Sequence, residues 1–400
     1  MAVAESAALT FYTGSVPSRR RNDNSAIGEH QTAMAQIPFT DIVRNLPASI
    51  PFVGPETIQR QRGFTFRAKL GANESPFGPS PRVVQAIQTA ASDVWHYPDS
   101  ESWELRAALA ERLGVPAEAV LVGAGIDELL GNVVRMTVPP GAAVVTSEGA
   151  YPTFNYHVNG FGGALHVVPY RDDHEDLQAL AAKAHEVGAR LVYFCNPDNP
   201  MGTRHSAEAV AQFRSNLPDD TLLILDEAYA EFAPDGTNPP FDPEDAGILR
   251  MRTFSKIYGL AGLRVGYAVG HPDAVTGLNK IRNHFGVNKI AQAAALAALE
   301  DDAYVADLRR QIETGKRDYA ATAARLGLTA LPSYTNFVPI DVGGAERAQA
   351  ILQGLQDERV FIRMPGVAPL NRCIRVTVGP EDQRQVFDAA LEKVVERVPA

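Results

Sequence analysis

Short apolar runs alternate with longer amphipathic segments along most of the chain. From about residue 82, the amphipathic segments have helical spacing and the apolar runs have the length of buried strands. The runs that predict strands are 119–122, 142–146, 190–195, 221–225 and 265–269. Because helices separate continuous apolar strands, we expect a mainly parallel sheet covered by helices on both faces. The predicted fold class is α/β.

A second, smaller lobe is predicted after about residue 300. A long charged helix at 303–326 is followed by strand-like segments at 334–341, 360–363 and 374–378, a pattern typical of an α+β domain. We therefore expect an N-terminal arm with part of the small domain at 37–81, a large domain at 82–298 and a small C-terminal domain at 299–400. Residues 242–245 are expected to form a loop.

The first 36 residues show neither a helical nor a strand period and predict a disordered or loosely docked extension. Three acidic residues, Glu5, Asp23 and Glu29, argue against a transit peptide, and the extension has no apolar signal core. Met34 is an alternative start of the protein.

The composition favours a cytoplasmic globular enzyme. Apolar residues make up 45% and charged residues 21% of the chain, which is ordinary globular usage. The net charge of -10 disfavours nucleic acid and anionic membranes as general partners, and no apolar run reaches the ~20 residues of a membrane helix. Cys195 and Cys373 are expected to be unbridged thiols in strands.

Lys256 lies in an unusual context for a lysine. It belongs to the run Thr253-Phe-Ser-Lys-Ile-Tyr-Gly-Leu-Ala-Gly-Leu-Arg264, where no other charge occurs before Arg264. Burying an ammonium group is costly, so such a lysine either pairs with a carboxylate or has a lowered pKa. An amine with a lowered pKa is a nucleophile, which makes Lys256 a candidate catalytic residue.

A glycine-rich segment joins a predicted strand to a predicted helix. The run Val120-Leu-Val-Gly-Ala-Gly-Ile-Asp-Glu128 can present backbone N–H groups and the positive end of a helix dipole to a phosphate. A dinucleotide fingerprint needs glycine where Glu128 stands, which disfavours a dehydrogenase. The glycines are also compatible with a tight turn in which Asp127 caps the helix.

Two more predicted strands end in polar residues. Asp226 follows four apolar residues, where an unpaired carboxylate is costly. It is suited to a metal ion, the amine of Lys256 or a protonated heterocycle, or it is solvated just past the strand. Asn199 lies in Phe194-Cys-Asn-Pro-Asp-Asn-Pro-Met-Gly202, where its amide either binds a ligand or shapes a plain turn.

Taken together, these segments supply what pyridoxal phosphate requires. A Schiff-base lysine with an acidic partner for the pyridinium nitrogen is the signature of this cofactor. Lys256 would take the aldehyde, Asp226 would keep the ring nitrogen protonated, and the glycine-rich turn with Arg264 would hold the phosphate. No metal ion is part of this prediction.

From about Lys69 to the C-terminus, the chain resembles the class I/II, fold-type-I aminotransferases and, within them, the histidinol-phosphate branch. The segments that carry the resemblance are Lys69-Leu-Gly-Ala-Asn-Glu-Ser-Pro-Phe-Gly-Pro79, His96-Tyr-Pro-Asp99, the Gly123 turn, Pro152-Thr-Phe154, Asn199-Pro-Met-Gly202, Asp226-Glu-Ala-Tyr229, Ser255-Lys256 with Arg264, and Arg375-Val-Thr-Val-Gly379. The resemblance implies the pyridoxal-phosphate-dependent transferase fold of type I.

The resemblance also implies roles around the cofactor. Lys256 forms the Schiff base and moves the α-proton of the substrate, and Asp226 contacts the pyridine nitrogen. Asn199 and Tyr229 hold the phenolic oxygen, while Phe154 stacks on the ring. The residues implied for the cofactor phosphate are Gly125, Ile126, Ser255, Arg264 and, reaching over from a second subunit, Tyr97. A homodimer with shared active sites follows from the last of these.

Three residues are implied for the substrate. By similarity, Arg375 binds a carboxylate, Arg363 helps to hold a substrate phosphate, and Asn73 lines the entrance. Arg363 is also compatible with an ordinary surface arginine and Asn73 with a turn residue. Two departures from the branch, at Met201 and at His284-Phe-Gly286, are expected near the substrate.

The predicted activity is transamination between histidinol phosphate and 2-oxoglutarate through a Lys256 Schiff base. An aromatic amino-acid aminotransferase uses the same chemistry, and a decarboxylase or racemase uses the same scaffold, because the cofactor residues do not decide which bond at the α-carbon breaks. A pyridoxal-phosphate-sensing regulator would need a helix-turn-helix unit, for which the N-terminal extension is too short and lacks the helical pattern.

Overall fold

The computed structural model of the chain describes residues 37–47 and 53–398. It separates after Pro47 into two units. In the first unit, helix α1 (Asp41–Asn45) begins where the Thr40 hydroxyl accepts a hydrogen bond from the Val43 backbone at 3.3 Å. The predicted extension at 1–36, including Met34, lies outside the described residues.

The second unit contains the remaining described elements. Its strands are β1 (Ala68–Lys69), β2 (Val120–Gly123), β3 (Ala143–Ser147), β4 (Ala164–Val168), β5 (Leu191–Cys195), β6 (Leu222–Asp226), β7 (Ile248–Thr253), β8 (Gly266–Gly270), β9 (Thr329–Ala330), β10 (Phe337–Asp341), β11 (Val360–Phe361) and β12 (Cys373–Thr377). Its helices are α2 (Pro55–Arg62), α3 (Pro81–Ala90), α4 (Trp103–Leu113), α5 (Ile126–Thr137), α6 (Pro152–Gly160), α7 (Leu177–Val187), α8 (Ala207–Ser215), α9 (Pro272–Asn279), α10 (Lys289–Leu299), α11 (Asp302–Arg325), α12 (Ala345–Asp357) and α13 (Glu381–Val395).

Seven strands form the central sheet, in the order β2-β8-β7-β6-β5-β3-β4. Strands β4, β3, β5, β6 and β7 run parallel to one another, whereas β8 runs antiparallel to both β7 and β2. The five predicted apolar runs coincide with β2, β3, β5, β6 and β8 to within a residue at each end. The expected α/β architecture with a mainly parallel sheet is therefore confirmed.

Helices cover both faces of this sheet because side chains alternate along each buried strand. On β5, Leu191, Tyr193 and Cys195 face a core that also contains side chains of α5, α6 and α9. The intervening Val192 and Phe194 face a separate core against α7 and α8. This alternation places the side chains of Tyr193 and Cys195 on one face, which matters for the site described below.

The smaller lobe is built as predicted from a long helix and short strands. Helix α11 matches the predicted charged helix, and β10, β11 and β12 fall in the three predicted segments. Strands β12, β10 and β9 form an antiparallel sheet, while β11 pairs in parallel with β1 from the N-terminal part of the chain. The domain boundaries at 81 and 298 remain predictions.

Both cysteines are buried and unbridged, Cys195 at the end of β5 and Cys373 at the start of β12. Residues 242–245 form a loop without regular structure. Across residues 37–47 and 53–398, no helix combines the length and the apolar character that crossing a membrane requires.

Candidate active site

The candidate site lies where β5, β6 and β7 end. These strands are parallel neighbours, and Cys195, Asp226 and Met251 are register partners across them. The carboxyl ends of parallel strands meet at one edge of a sheet, where ligands of α/β proteins bind. The loops that follow the three strands carry Asn199, Tyr229 and Lys256.

Asp226 is the last residue of β6, and its carboxylate is buried. One oxygen, Oδ1, accepts a hydrogen bond from the backbone N–H of Ala228 at 2.9 Å. The other, Oδ2, accepts one from the hydroxyl of Tyr193 at 2.8 Å. Burial raises the pKa of Asp226 to about 6, and the hydrogen bond from Tyr193 is the largest opposing influence. The alternative of a carboxylate solvated past the strand end does not fit this geometry.

The amine of Lys256 has the properties of a nucleophile. Burial, reinforced by the positive charge of Arg375, lowers the pKa of Lys256 to about 8, although Glu74, Asp127 and Asp226 act in the opposite direction. Its Nζ lies 5.6 Å from the centre of the Tyr229 ring. A lysine with this pKa is neutral in a sizeable fraction of molecules at mildly alkaline pH.

Tyr229 is buried and connected to Asn73. The side-chain nitrogen of Asn73 donates a hydrogen bond to the Tyr229 hydroxyl at 2.9 Å. Asn73 has a left-handed backbone with φ of 54°, and the hydroxyl of Thr377 accepts a hydrogen bond from its backbone N–H at 3.1 Å. Asn336 also donates to the Asn73 carbonyl at 3.1 Å. Asn73 is thus a turn residue whose amide is fixed against a candidate catalytic group.

Arg375 lies beside Arg363 and contacts Asn199. The two arginines form an antiparallel backbone bridge, and Arg375 donates a side-chain hydrogen bond to the amide oxygen of Asn199. A second hydrogen bond runs from Arg375 Nη2 to the Gly71 carbonyl at 3.2 Å. Burial, together with the charge of Arg363, lowers the pKa of Arg375 to about 10. Its Nε is buried and has no hydrogen-bond partner among the described residues, so it is suited to bind an anionic ligand.

We call Gly125, Ile126, Ser255 and Arg264 the phosphate cradle. Gly125 precedes α5 with φ of 86°, and a β-carbon there would collide with the Arg264 guanidinium. Arg264 donates to the Ser255 hydroxyl at 3.3 Å. No side chain of the described residues caps α5, so its first backbone N–H groups and the adjacent guanidinium suit a phosphate.

Two acidic residues in the first turn of α5, Asp127 and Glu128, contact groups in or next to the phosphate cradle. Glu128 accepts a hydrogen bond from the Ala124 backbone at 2.5 Å, which explains an acidic residue where a dinucleotide fingerprint has glycine. Asp127 does not cap the helix, as one alternative proposed. Its carboxylate accepts from the Tyr151 hydroxyl at 3.0 Å and lies 3.6 Å from Arg264.

Phe154, Tyr97 and Met201 were also predicted near the cofactor or the substrate, and the structure places them in three different environments. Phe154, on α6, is buried with its ring stacked on Tyr193, the ring centres being 4.6 Å apart at 15°. Tyr97 is 79% exposed and contacts Phe285 rather than the cradle of its own chain. Met201, expected near the substrate, is fully buried against Tyr170 and Cys373 and is a core residue.

Sequence reasoning missed Tyr193 and Tyr151, which contact Asp226 and Asp127. The only local signal for Tyr193 is its spacing of two residues from Cys195, which puts both side chains on the Asp226 side of the sheet. Tyr151 has no comparable signal, because its partner is on a different helix.

Comparison with known proteins identifies the family. The family model described as aminotransferase class I and II matches residues 68–394. The chain belongs to this family. The expected aminotransferase class is therefore confirmed, and with it pyridoxal phosphate as the cofactor. An aminotransferase takes its amino group from a donor and passes it to an oxo acid.

The matches to individual relatives cover most of this chain. A histidinol-phosphate aminotransferase of Moorella thermoacetica is 34% identical over 385 residues, covering 95% of this chain and 98% of the relative. Another from Pseudomonas fluorescens is 38% identical over 334 residues, covering 82% and 89%. A crystal structure of histidinol-phosphate aminotransferase from Sinorhizobium meliloti in complex with pyridoxal-5'-phosphate is 48% identical with a TM-score of 0.89, covering 91% of this chain and 99% of that one.

Proposed function

We propose that this aminotransferase transfers the amino group of histidinol phosphate to 2-oxoglutarate. The observation that supports the substrate is the adjacent pair Arg363 and Arg375, in which the Arg375 Nε is buried without a partner among the described residues. Two arginines at paired backbone positions, close enough for the charge of Arg363 to lower the pKa of Arg375, suit a doubly charged phosphate, whereas one arginine suffices for a carboxylate. The relatives named above carry the same activity in their names.

Four residues are proposed to hold the cofactor ring. Asp226 pairs with the ring nitrogen, because a buried carboxylate at the strand end needs a cationic partner. Asn199 and Tyr229 hold the phenolic oxygen with an amide and a hydroxyl, and Phe154 supplies an aromatic face. The phosphate cradle then binds the cofactor phosphate through backbone N–H groups, Ser255 and Arg264.

Lys256 performs the proton chemistry. When bound, pyridoxal phosphate withdraws electrons from the α-carbon of the substrate. The Nζ of Lys256, neutral in part because its pKa is lowered to about 8, takes the α-proton and later returns a proton. Arg375 orients the anionic end of the amino donor or of the oxo acid, so that the carbon that carries the amino group faces Nζ. Burial of Tyr229 and Asp226 keeps water away from the reacting groups.

We further propose a cytoplasmic homodimer in which Tyr97 completes the partner's cradle. The chain exposes several large apolar side chains: Trp95 (76%), Tyr97 (79%), Trp103 (63%) and Phe285 (50%). Aromatic side chains at this exposure are typical of protein interfaces. Tyr97 belongs to this group, and its exposure at the surface supports a contribution across subunits.

The function is tested with purified enzyme and a panel of amino donors that includes histidinol phosphate and phenylalanine. Conversion of the bound cofactor is followed by absorbance under single-turnover conditions. Fast conversion by histidinol phosphate alone is the expected result. A preference for phenylalanine would move the activity to aromatic amino acids and leave the cofactor assignments unchanged.

The role of Arg363 is tested with R363Q. Removing one guanidinium from the pair should lower kcat/KM for histidinol phosphate by about 10-fold to 100-fold, the range for a lost charge-assisted hydrogen bond, with a smaller effect on 2-oxoglutarate. R317Q, which removes an exposed arginine of α11, serves as the control. Equal losses for both substrates would argue against phosphate binding by Arg363.

A further inference from the structure

Tyr193 connects two groups that the proposed function assigns to the cofactor ring. It is fully buried on β5, with its ring stacked on Phe154 and its hydroxyl 2.8 Å from Asp226 Oδ2. The hydroxyl also lies 3.1 Å from the sulfur of Cys195. A single side chain thus contacts both the aromatic residue proposed for the cofactor face and the carboxylate proposed for the ring nitrogen.

The direction of the hydrogen bond follows from the chemistry of its partners. A phenol has one proton to donate, and a carboxylate is a stronger acceptor than a thiol. Asp226 needs donors because it is buried, and its other oxygen already accepts from the Ala228 backbone. Donation by Tyr193 therefore stabilises the ionised form of Asp226 and restricts the orientation of its carboxylate.

We propose that Tyr193 is a positioning residue that keeps Asp226 ionised and oriented for the protonated ring nitrogen of the cofactor. The inference rests on the proposed function, in which Asp226 pairs with that nitrogen. The hydroxyl of Tyr193 acts on the bound cofactor through Asp226. Its contribution to binding must therefore depend on whether the ligand has a ring nitrogen.

Y193F is the informative variant because it keeps the ring that packs on Phe154 and removes only the hydroxyl. Two ligands of the apoenzyme are compared: pyridoxal phosphate and an analogue whose ring nitrogen is replaced by carbon. The dissociation constant for pyridoxal phosphate should rise about tenfold, the effect of one hydrogen bond to a charged group. The constant for the analogue should stay within about twofold, since it has no ring nitrogen for Asp226 to hold.

Y319F is the matched control. Tyr319 is also fully buried, but its hydroxyl donates to the Thr377 carbonyl at 3.0 Å. This variant should bind both ligands like the wild type. If Y193F weakens both ligands equally, its effect is one of packing and the inference is wrong. If the wild type binds both ligands equally well, the pairing of Asp226 in the proposed function fails instead.

A double-mutant cycle with D226N adds an independent readout. In the D226N background the carboxylate is absent, so Y193F should no longer change the preference for pyridoxal phosphate over the analogue. Thermal unfolding of each apoenzyme verifies that the variants are folded. An undiminished effect of Y193F in the D226N background would overturn the role proposed for Tyr193.

Discussion

At the scale of single residues, the site depends on how burial and neighbouring charges change the pKa of Lys256. From its apolar surroundings, the sequence predicted that Lys256 either pairs with a carboxylate or has a lowered pKa, and the structure favours the lowered pKa. The sequence does not reveal the second cause of this lowered pKa, the positive charge of Arg375, because that residue lies far along the chain on β12. The contact between Tyr193 and Asp226 could not be predicted either, since the position of a tyrosine in an apolar strand does not show that its hydroxyl reaches a carboxylate.

The charge of Arg375 gives a testable pH dependence. Capture of pyridoxal phosphate by the apoenzyme needs a neutral amine, so its rate should rise with pH, with a midpoint at about 8, and level off above it. In R375Q the repelling cation is gone, the pKa of Lys256 rises, and the midpoint should move up by roughly 0.5–1 pH unit. Stopped-flow absorbance measures the midpoint, and R317Q should leave it unchanged. A midpoint that stays or moves down in R375Q would contradict this account.

Covalent attachment tests the identity of the nucleophile. Borohydride treatment of the holoenzyme should add the mass of the cofactor to the peptide that contains Lys256, because only this buried amine is expected to bond to the aldehyde. K256A should show no added mass and lose more than about 100-fold in kcat, the usual contribution of a general acid–base group. Mass spectrometry makes the first measurement, and labelling at another lysine would refute the assignment.

At the scale of elements, β7 shows why one strand escaped prediction. Arg250 and Arg252 interrupt its apolar pattern, and the structure neutralises them with Glu227, which follows Asp226 on the neighbouring β6. This pairing joins β7 to the residue just after β6, so no local sequence pattern predicts it. Strand β4 was missed because it is a half-exposed edge strand, whereas continuous apolar runs made β2, β3, β5, β6 and β8 predictable.

Glu227 should be essential to the stability of this edge of the sheet. It is fully buried and accepts hydrogen bonds from Arg250 at 2.6 and 3.0 Å and from Arg252 at 3.4 Å. E227Q removes the acidic partner of Arg250 and leaves Arg252 only Glu231, at 3.8 Å, so it should lower the free energy of unfolding by about 3 kcal/mol. Denaturant unfolding of the apoenzyme measures the change. E186Q, which breaks an exposed pair with Lys183, should have no measurable effect.

The same cluster predicts the pH dependence of stability. Burial raises the pKa of Glu227, but the charges of Arg252 and Arg250 outweigh it and the net pKa is lowered from 4.5. A carboxylate with a lowered pKa in the folded state stabilises the protein fully above its unfolded pKa. The difference in stability between wild type and E227Q should therefore be constant above about pH 5 and shrink as the pH falls below it. A difference that persists unchanged at pH 3 would contradict the ionic account.

At the scale of the whole molecule, the exposed aromatic surface and the position of Tyr97 both favour a shared site. The resemblance predicted a dimer, but a single chain carries no pattern that shows which surface meets a second copy. In the structure, Trp95, Tyr97 and Trp103 belong to the same short part of the chain, and Phe285 packs against Tyr97.

Subunit mixing tests the shared site. Y97A and K256A should each have low activity, because each lacks one group in every site. In a mixed dimer, one site combines the intact Lys256 of the first chain with Tyr97 of the second. Random exchange makes about half of the dimers mixed, so about a quarter of wild-type activity should return. Sedimentation confirms the dimers, and no recovery on mixing would place Tyr97 in the site of its own chain.

The proximity of Arg375 to Lys256 links substrate capture to basicity. An anionic substrate that neutralises the guanidinium removes the repulsion that weakens the amine, so Lys256 becomes a stronger proton acceptor as the α-carbon arrives. Thermodynamic reciprocity requires the converse, that the anion binds more tightly when the lysine is protonated. The arginine that we propose binds the substrate anion would thereby also make Lys256 more basic when the substrate binds.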